Sequence, residues 1–191
     1  VKVTAQTCGA LSVGTGFAVA TDYVVTNAHV VAGSRTVRVS LAGSLFDASV
    51  VLFDPDLDVA LLRVPGLQAP PLRFADTDPE RGATGAAIGF PGGGSMAIVP
   101  AAVTGRYPAR GRDIYGEHPV TRQILELQAA IERGDSGGPF VLADGTVGGV
   151  VFAEARSNDD IGYALSARSV AVRVAPGIGR TGEVPVGPCI H

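Results

Sequence analysis

The sequence predicts an all-β fold of antiparallel barrels or sandwiches, and three observations carry that prediction. Short β-rich runs recur between turn signals along most of the chain. Glycine, at 26 residues, and proline, at 13, together make up about a fifth of the 191 residues, which favours turns over long helices. Within residues 35–41, Val37, Val39 and Leu41 alternate with Thr36, Arg38 and Ser40, the period of a strand with one wet face and one buried face.

The predicted strands run Gly16–Ala20, Tyr23–Thr26, Thr36–Leu41, Ala48–Phe53, Val59–Val64, Ala86–Phe90, Met96–Thr104, Gln123–Ala130, Phe140–Leu142, Val147–Ala153 and Gly162–Ser166. Asp144-Gly145, set between two of these runs, is the strongest hairpin signal. Helices are minor: a turn at Ala28–Ala32 stopped by Gly33, and a short C-terminal helix at Ala167–Val174. The stretch Pro65–Pro71, followed by polar Asp76–Gly82, marks a boundary between a front lobe, residues 1–75, and a back lobe, residues 76–191.

With 46% apolar and 17% charged residues, the chain is too apolar to be disordered and long enough for one or two compact lobes. Fifteen Lys and Arg against eighteen Asp and Glu leave a formal charge of −3, so nucleic acid is not an expected partner. No run approaches the roughly 18 apolar residues that cross a bilayer. Any membrane attachment is therefore expected only through a segment outside these residues, which begin at Val1. Two cysteines occur, Cys8 and Cys189, without the spacing of a metal site. They read either as a disulfide tying the ends together, which needs an oxidising compartment, or as two buried thiols that never meet.

Gly134-Asp135-Ser136-Gly137-Gly138-Pro139 is the most specific motif. A serine nucleophile must expose its Oγ while backbone N–H groups converge on the carbonyl oxygen that becomes negative, and small residues permit that tight path. Gly134 and Ser136 would supply the two N–H donors of an oxyanion hole. The plain alternative is an ordinary glycine-rich turn. A serine hydroxyl also needs a base, and histidine has the suitable pKa. Among three histidines, His29 follows an apolar strand, His118 lies in a polar loop, and His191 is the last residue. His29 is the candidate. Its partner carboxylate comes from Asp54, Asp56 or Asp58; Asp58 directly precedes the apolar run Val59–Leu62, whereas the other two flank Pro55 as turn residues. Asp58 is preferred and Asp56 stands second.

His29 in Thr-Asn-Ala-His-Val-Val, Asp58 in Asp-Val-Ala-Leu-Leu and Ser136 in the hexapeptide resemble, in that chain order, the chymotrypsin (trypsin-like) serine peptidases. Gly14-Thr15-Gly16-Phe17-Ala18 and Gly162-Tyr163-Ala164-Leu165-Ser166 resemble the HtrA-like bacterial branch, although no PDZ module lies within these residues. The nearest type within it is the actinobacterial membrane-anchored periplasmic protease of acid resistance. The resemblance implies two six-stranded antiparallel β-barrels, with His29 and Asp58 from the first, Ser136 from the second and the cleft between them. It also implies an endopeptidase acting on proteins or peptides, with no metal or cofactor, in an extracytoplasmic space. Two other functions compete: a catalytically silent peptide-binding relative, and an esterase or acyl transferase.

By the same resemblance Ala130, six residues before the nucleophile, floors the primary side-chain pocket, with Val151, Phe152, Ala153 and Ala164 in its walls. An apolar residue before the cut is the expected preference. Glu132, Glu154, Asp159 or Asp160 bending inward would select a basic residue instead. The segment Gly105–Asp113 reads as an exposed basic loop, open to self-cleavage or simply solvated. With His29 as base, activity is expected to fall near pH 6 to 7, roughly the range of an unshifted imidazole.

Overall fold

The computed structural model describes residues 1–154 and 158–190. Strands take 51% of the described residues and helices 10%, as glycine- and proline-rich punctuation dictates. The first sheet collects β1 (Lys2–Thr7), β2 (Ala10–Thr15), β3 (Phe17–Ala20), β4 (Tyr23–Thr26), β5 (Ser34–Leu41), β6 (Ser44–Asp54) and β7 (Val59–Arg63), with the short helix α1 (Ala28–Val31) between β4 and β5. Their order is β2-β1-β5-β6-β7-β4-β3, and every pair is antiparallel. Six strands were expected and seven are present, because one run is divided at Gly16. A Cβ at Gly16 would press on Val24 and the carbonyl of Val25, so the chain bends there and carries one strand from one sheet edge to the other. β1 and the first half of that run carry too many polar residues to be read as strands from the sequence.

The second sheet is a closed barrel of β8 (Thr84–Gly89), β9 (Ala97–Arg112), β10 (Pro119–Gln128), β11 (Pro139–Leu142), β12 (Val147–Glu154) and β13 (Ile161–Ser166). Helix α2 (Ala167–Val174) follows directly, its N-terminus capped by the Ser166 side chain accepting from the Ser169 N–H. The basic segment expected as a loop is instead the second half of β9. Beyond Ala102 that strand has lost its pairing with β8 and keeps only β10 as a neighbour, from Gly105 opposite Glu126 to Arg112 opposite Pro119. A strand with one free edge tolerates Pro108, and that is why turn-like residues extend a ribbon here.

Three packed clusters hold the architecture. Val3, Val24, Val39 and Leu62 fill the first sheet, and Leu125, Leu127 and Phe140 fill the second. A third cluster joins them: Phe17, Val25 and Leu61 meet Val150, Leu165, Val170 and Val174. Each fully buried Val or Leu there stabilises the fold by about 1.5–3 kcal/mol relative to exposure. Residues past α2 then return to the first sheet, where the Val184 N–H donates to the Val50 carbonyl (2.9 Å) and the Gly33 N–H to the Val186 carbonyl (3.1 Å). The strap ends in a disulfide between Cys8 and Cys189, with Cα atoms 6.3 Å apart. Closing a loop 181 residues long restricts the unfolded chain by about 5 kcal/mol in the loop-entropy model.

Candidate active site

His29 sits on α1, one turn beyond β4, where buried Ala28, Val30 and Val31 fix the helix and leave the imidazole facing out. Asp58 ends the β6–β7 turn in a left-handed conformation, φ 64°. Its carbonyl accepts from Asn27 Nδ2 (2.8 Å), Oδ1 accepts from the His29 backbone N–H (2.9 Å), and Oδ2 lies 2.7 Å from His29 Nδ1. The carboxylate thus grips both the backbone and the ring of one residue, so the acceptor fixes the proton on Nδ1 and leaves Nε2 free. Burial drives the imidazole pKa down, but the charge of Asp58 and its hydrogen bond outweigh burial, and the value is raised; Arg122 pulls weakly the other way.

Asp54 and Asp56 are not part of this pair. Asp54 Oδ1 accepts from the N–H groups of Asp56 and Leu57, and Oδ2 takes Arg173; Asp56 is exposed. His118, expected in a polar loop, is bonded through Nδ1 to Asp113 Oδ2 at 2.9 Å at the tip of the β9–β10 ribbon. His191 and the side chain of Glu154 lie outside the described residues.

Ser136 is half-buried in the β10–β11 loop. That loop passes against the first sheet: the Ser136 carbonyl accepts from the Thr15 N–H (2.7 Å), and the Gly137 N–H donates to the Val151 carbonyl (2.8 Å). Gly137, at φ +87°, could carry no side chain, because a Cβ would strike the Thr15 carbonyl and Thr26 Oγ1. The nucleophile's neighbour is therefore packed on the residues that lead into His29. No hydrogen bond joins Ser136 Oγ to His29 among the described residues; such contacts commonly shorten only when substrate binds.

Two anchored carbonyls set the direction of the candidate oxyanion donors. In a trans peptide the C=O and the following N–H point opposite ways. The Arg133 carbonyl accepts from the Gly92 N–H (2.7 Å), which turns the Gly134 N–H to the side opposite its carbonyl's partner. The Asp135 carbonyl accepts from the Gly138 N–H (2.8 Å), which does the same for the Ser136 N–H. Among the described residues neither donor has an acceptor of its own. Asp135 is buried beneath them, with Oδ2 taking the Glu132 N–H at 2.9 Å; burial pushes its carboxyl above the ordinary range, against the lowering effect of that bond. Gly92 carries no signal in the sequence that marks it as part of this site, and Asn27 enters the sequence reading only through the Thr-Asn-Ala-His-Val-Val context of His29.

The imidazole opens onto a cavity of about 810 Å³ whose lining includes Asp58, Arg112, Ile114, Arg122 and Arg133. Of the expected pocket residues, Ala130 is exposed and Phe152 and Ala153 are half-buried. Val151 and Ala164 turn fully into the barrel core with Leu125 and Phe140, where they support the wall from behind.

Comparison with known proteins agrees with this geometry. A family model described as a trypsin-like peptidase domain matches residues 14–150. Serine protease Rv3671c of Mycobacterium tuberculosis is 43% identical over 191 residues, all of this chain and 48% of the relative. A probable periplasmic serine endoprotease DegP-like from Pseudomonas fulva is 33% identical over 93% of this chain and 37% of its own length. The chain thus spans half or less of the curated relatives it matches. The crystal structure of the Rv3671c protease in its active form superposes with a TM-score of 0.96 at 42% identity, over 100% of this chain and 85% of the other. The inactive form of that protease gives 0.82 at 43% identity, over 94% and 89%. The chain belongs to the trypsin-like serine peptidases.

Proposed function

We propose that this domain is a serine endopeptidase whose nucleophile is Ser136, whose general base is His29 and whose orienting carboxylate is Asp58. The observation that carries the reading is the double grip of Asp58 on His29, which leaves Nε2 unprotonated at a cavity that Arg133, the residue just before the hexapeptide, also lines. Ser136 Oγ attacks the carbonyl carbon of the scissile peptide and its proton passes to His29 Nε2. The oxygen that becomes negative is held by the N–H groups of Gly134 and Ser136. As the C–N bond breaks, His29 returns the proton to the departing amine, leaving an ester on Ser136. Water then attacks that ester with His29 again as base, releasing the acid and restoring the serine.

The two lobes, residues 1–75 and 76–191, act as one peptidase domain in this reading, with the C-terminal strap tying them. A turnover-competent arrangement is favoured over a silent binding relative by the closer match to the active form of Rv3671c. The half-burial of Phe152 and Ala153, both apolar, supports an apolar residue before the cut. The disulfide and the periplasmic name of the DegP-like relative support an extracytoplasmic location. An anchor outside these residues and a role in acid resistance rest on the sequence resemblance alone; self-cleavage rests on the basic segment Gly105–Asp113, which is the second half of β9 and its end and not a loop. The raised pKa of His29 works against activity in acid, so an acid-stress role requires a compartment that stays near neutrality.

Incubation with an unfolded protein and with a fluorophosphonate probe tests the assignment. Wild type cleaves and is labelled at Ser136, and Ser136→Ala does neither, with a loss of about a million-fold in turnover. Equal cleavage by the two proteins overturns it. Dominant cleavage after Arg or Lys in a peptide library overturns the apolar pocket.

A further inference from the structure

Thr15 closes β2, and its peptide and side chain are almost fully buried, at 1% exposure. A threonine hydroxyl has one proton to give and lone pairs to receive, and here both are used across the lobe boundary. Oγ1 donates to the Gly134 carbonyl at 2.7 Å and accepts from the Phe90 N–H at 3.0 Å. The Thr15 N–H holds the Ser136 carbonyl at 2.7 Å, and the Thr15 carbonyl accepts from Thr26 Oγ1 at 2.7 Å, at the end of the strand that leads to His29. One residue therefore ties three pieces together: the oxyanion loop, the Phe90–Gly93 turn and the base-bearing segment.

The chemical consequence lies at Gly134. Its φ is +103°, and a Cβ there would collide with the Phe90 carbonyl, so only glycine fits and no side chain restrains it. Its conformation is set by the two peptide planes that flank it. The preceding plane is pinned by Gly92 on the Arg133 carbonyl; the following plane is pinned by the Thr15 hydroxyl on the Gly134 carbonyl, with a longer bond from the Asp135 N–H to the Glu132 carbonyl (3.1 Å) at its other end. The Phe90–Gly93 turn that supplies Gly92 is itself held by the same hydroxyl through the Phe90 N–H, and by Lys2 Nζ on the Gly93 carbonyl at 3.0 Å. Loss of the hydroxyl loosens both pins at once.

We infer that the Thr15 hydroxyl is a positioning group for hydrolysis, holding Gly134 so that its N–H meets the developing oxyanion; this rests on the serine-endopeptidase reading above. Thr15→Val keeps the volume and removes the hydroxyl. The expected result is a fall in kcat of about 100-fold, the scale of a misplacement of roughly 1 Å, with KM changed less than about threefold. Affinity for a peptide boronate, which forms a tetrahedral adduct on Ser136, falls in parallel with kcat/KM. Thr15→Ser recovers to within a few-fold of wild type. Should Thr15→Val fail to fold, Thr15→Ala, which adds no atom, replaces it in the same comparison with Thr15→Ser. Wild-type kcat in a folded Thr15→Val or Thr15→Ala, or equal losses in the Ser and hydroxyl-free variants, overturns the assignment. Ser136→Ala is run alongside. If wild type cleaves and Ser136→Ala does not, a null result at Thr15 rejects only the positioning role, whereas cleavage by Ser136→Ala rejects the function itself.

Discussion

Among the described residues stand two histidine–aspartate pairs of nearly equal length, 2.7 Å at His29–Asp58 and 2.9 Å at His118–Asp113. Both carboxylates are buried, and both imidazoles have a raised pKa. In each, the carboxylate also takes the backbone N–H of its own histidine. What separates them is the company they keep. The His29 side chain is 31% exposed and lines a cavity with Arg122 and Arg133; the His118 side chain is 74% exposed on a ribbon tip. Asp113 spends its remaining capacity on the N–H groups of Tyr115 and Glu117, closing a turn. A hydrogen-bonded imidazole is thus a common structural device, and it becomes a candidate base only where a nucleophile and an oxyanion site converge on its free nitrogen.

Removing the two rings gives the sharpest break. His29→Ala is expected to lower turnover about a million-fold, as loss of the base does in a comparable triad, while His118→Ala stays within about twofold; a peptide-hydrolysis assay that finds similar losses erases the distinction. Next come the carboxylates. Asp58→Asn leaves the shape of the site but supports the wrong tautomer, for an expected loss of about 10⁴-fold in kcat. Asp113 lines the cavity but does not bond His29, so Asp113→Asn changes kcat by less than about threefold and instead lowers the melting temperature, measurable by calorimetry, because the ribbon tip loses its charged acceptor.

Acidity separates the pairs with a smaller effect. Hydrolysis requires neutral His29, whose raised pKa places the acid limb of the kcat/KM profile above the ordinary imidazole value of about 6.5. The linked stability has the opposite sign: it is fully present below the unfolded pKa of His29 and is lost as pH rises through the folded one. Arg122→Gln removes a cation that lowers the His29 pKa, so the acid limb moves to higher pH. An unmoved limb refutes that electrostatic link. At the ribbon tip, burial favours a raised Asp113 pKa, but the hydrogen bonds of Glu117, His118 and Tyr115 prevail and lower it to about 2. Its stabilisation is present above about pH 4 and fades as pH falls toward 2, visible as a drop in melting temperature that Asp113→Asn abolishes.

Much of this was legible in the text of the chain. Alternation at Val37, Val39 and Leu41 marked β5, the Asp144-Gly145 pair marked the β11–β12 hairpin, and Ala167–Val174 formed the helix expected there. The β-rich class followed from local punctuation, because strands and turns are chosen by short-range pattern. β1 and β2 were missed because Gln6, Thr7 and Ser12 mask the period, and the second half of β9 because Pro108 and Gly105 look like loop residues to a reading that cannot see a free edge.

By itself the sequence determined which residues were able to act: a serine framed by glycines, a histidine after an apolar strand and an aspartate before one. Those are properties of side-chain chemistry and neighbouring residues, and they need no fold. Only the tertiary structure decided which aspartate pairs with each of His29 and His118, that Cys8 meets Cys189, and that Thr15 and Gly92 reach carbonyls more than forty residues further along the chain. Hydrogen bonds are fixed within a few tenths of an ångström, and that distance is set by how two barrels pack, which no local pattern encodes.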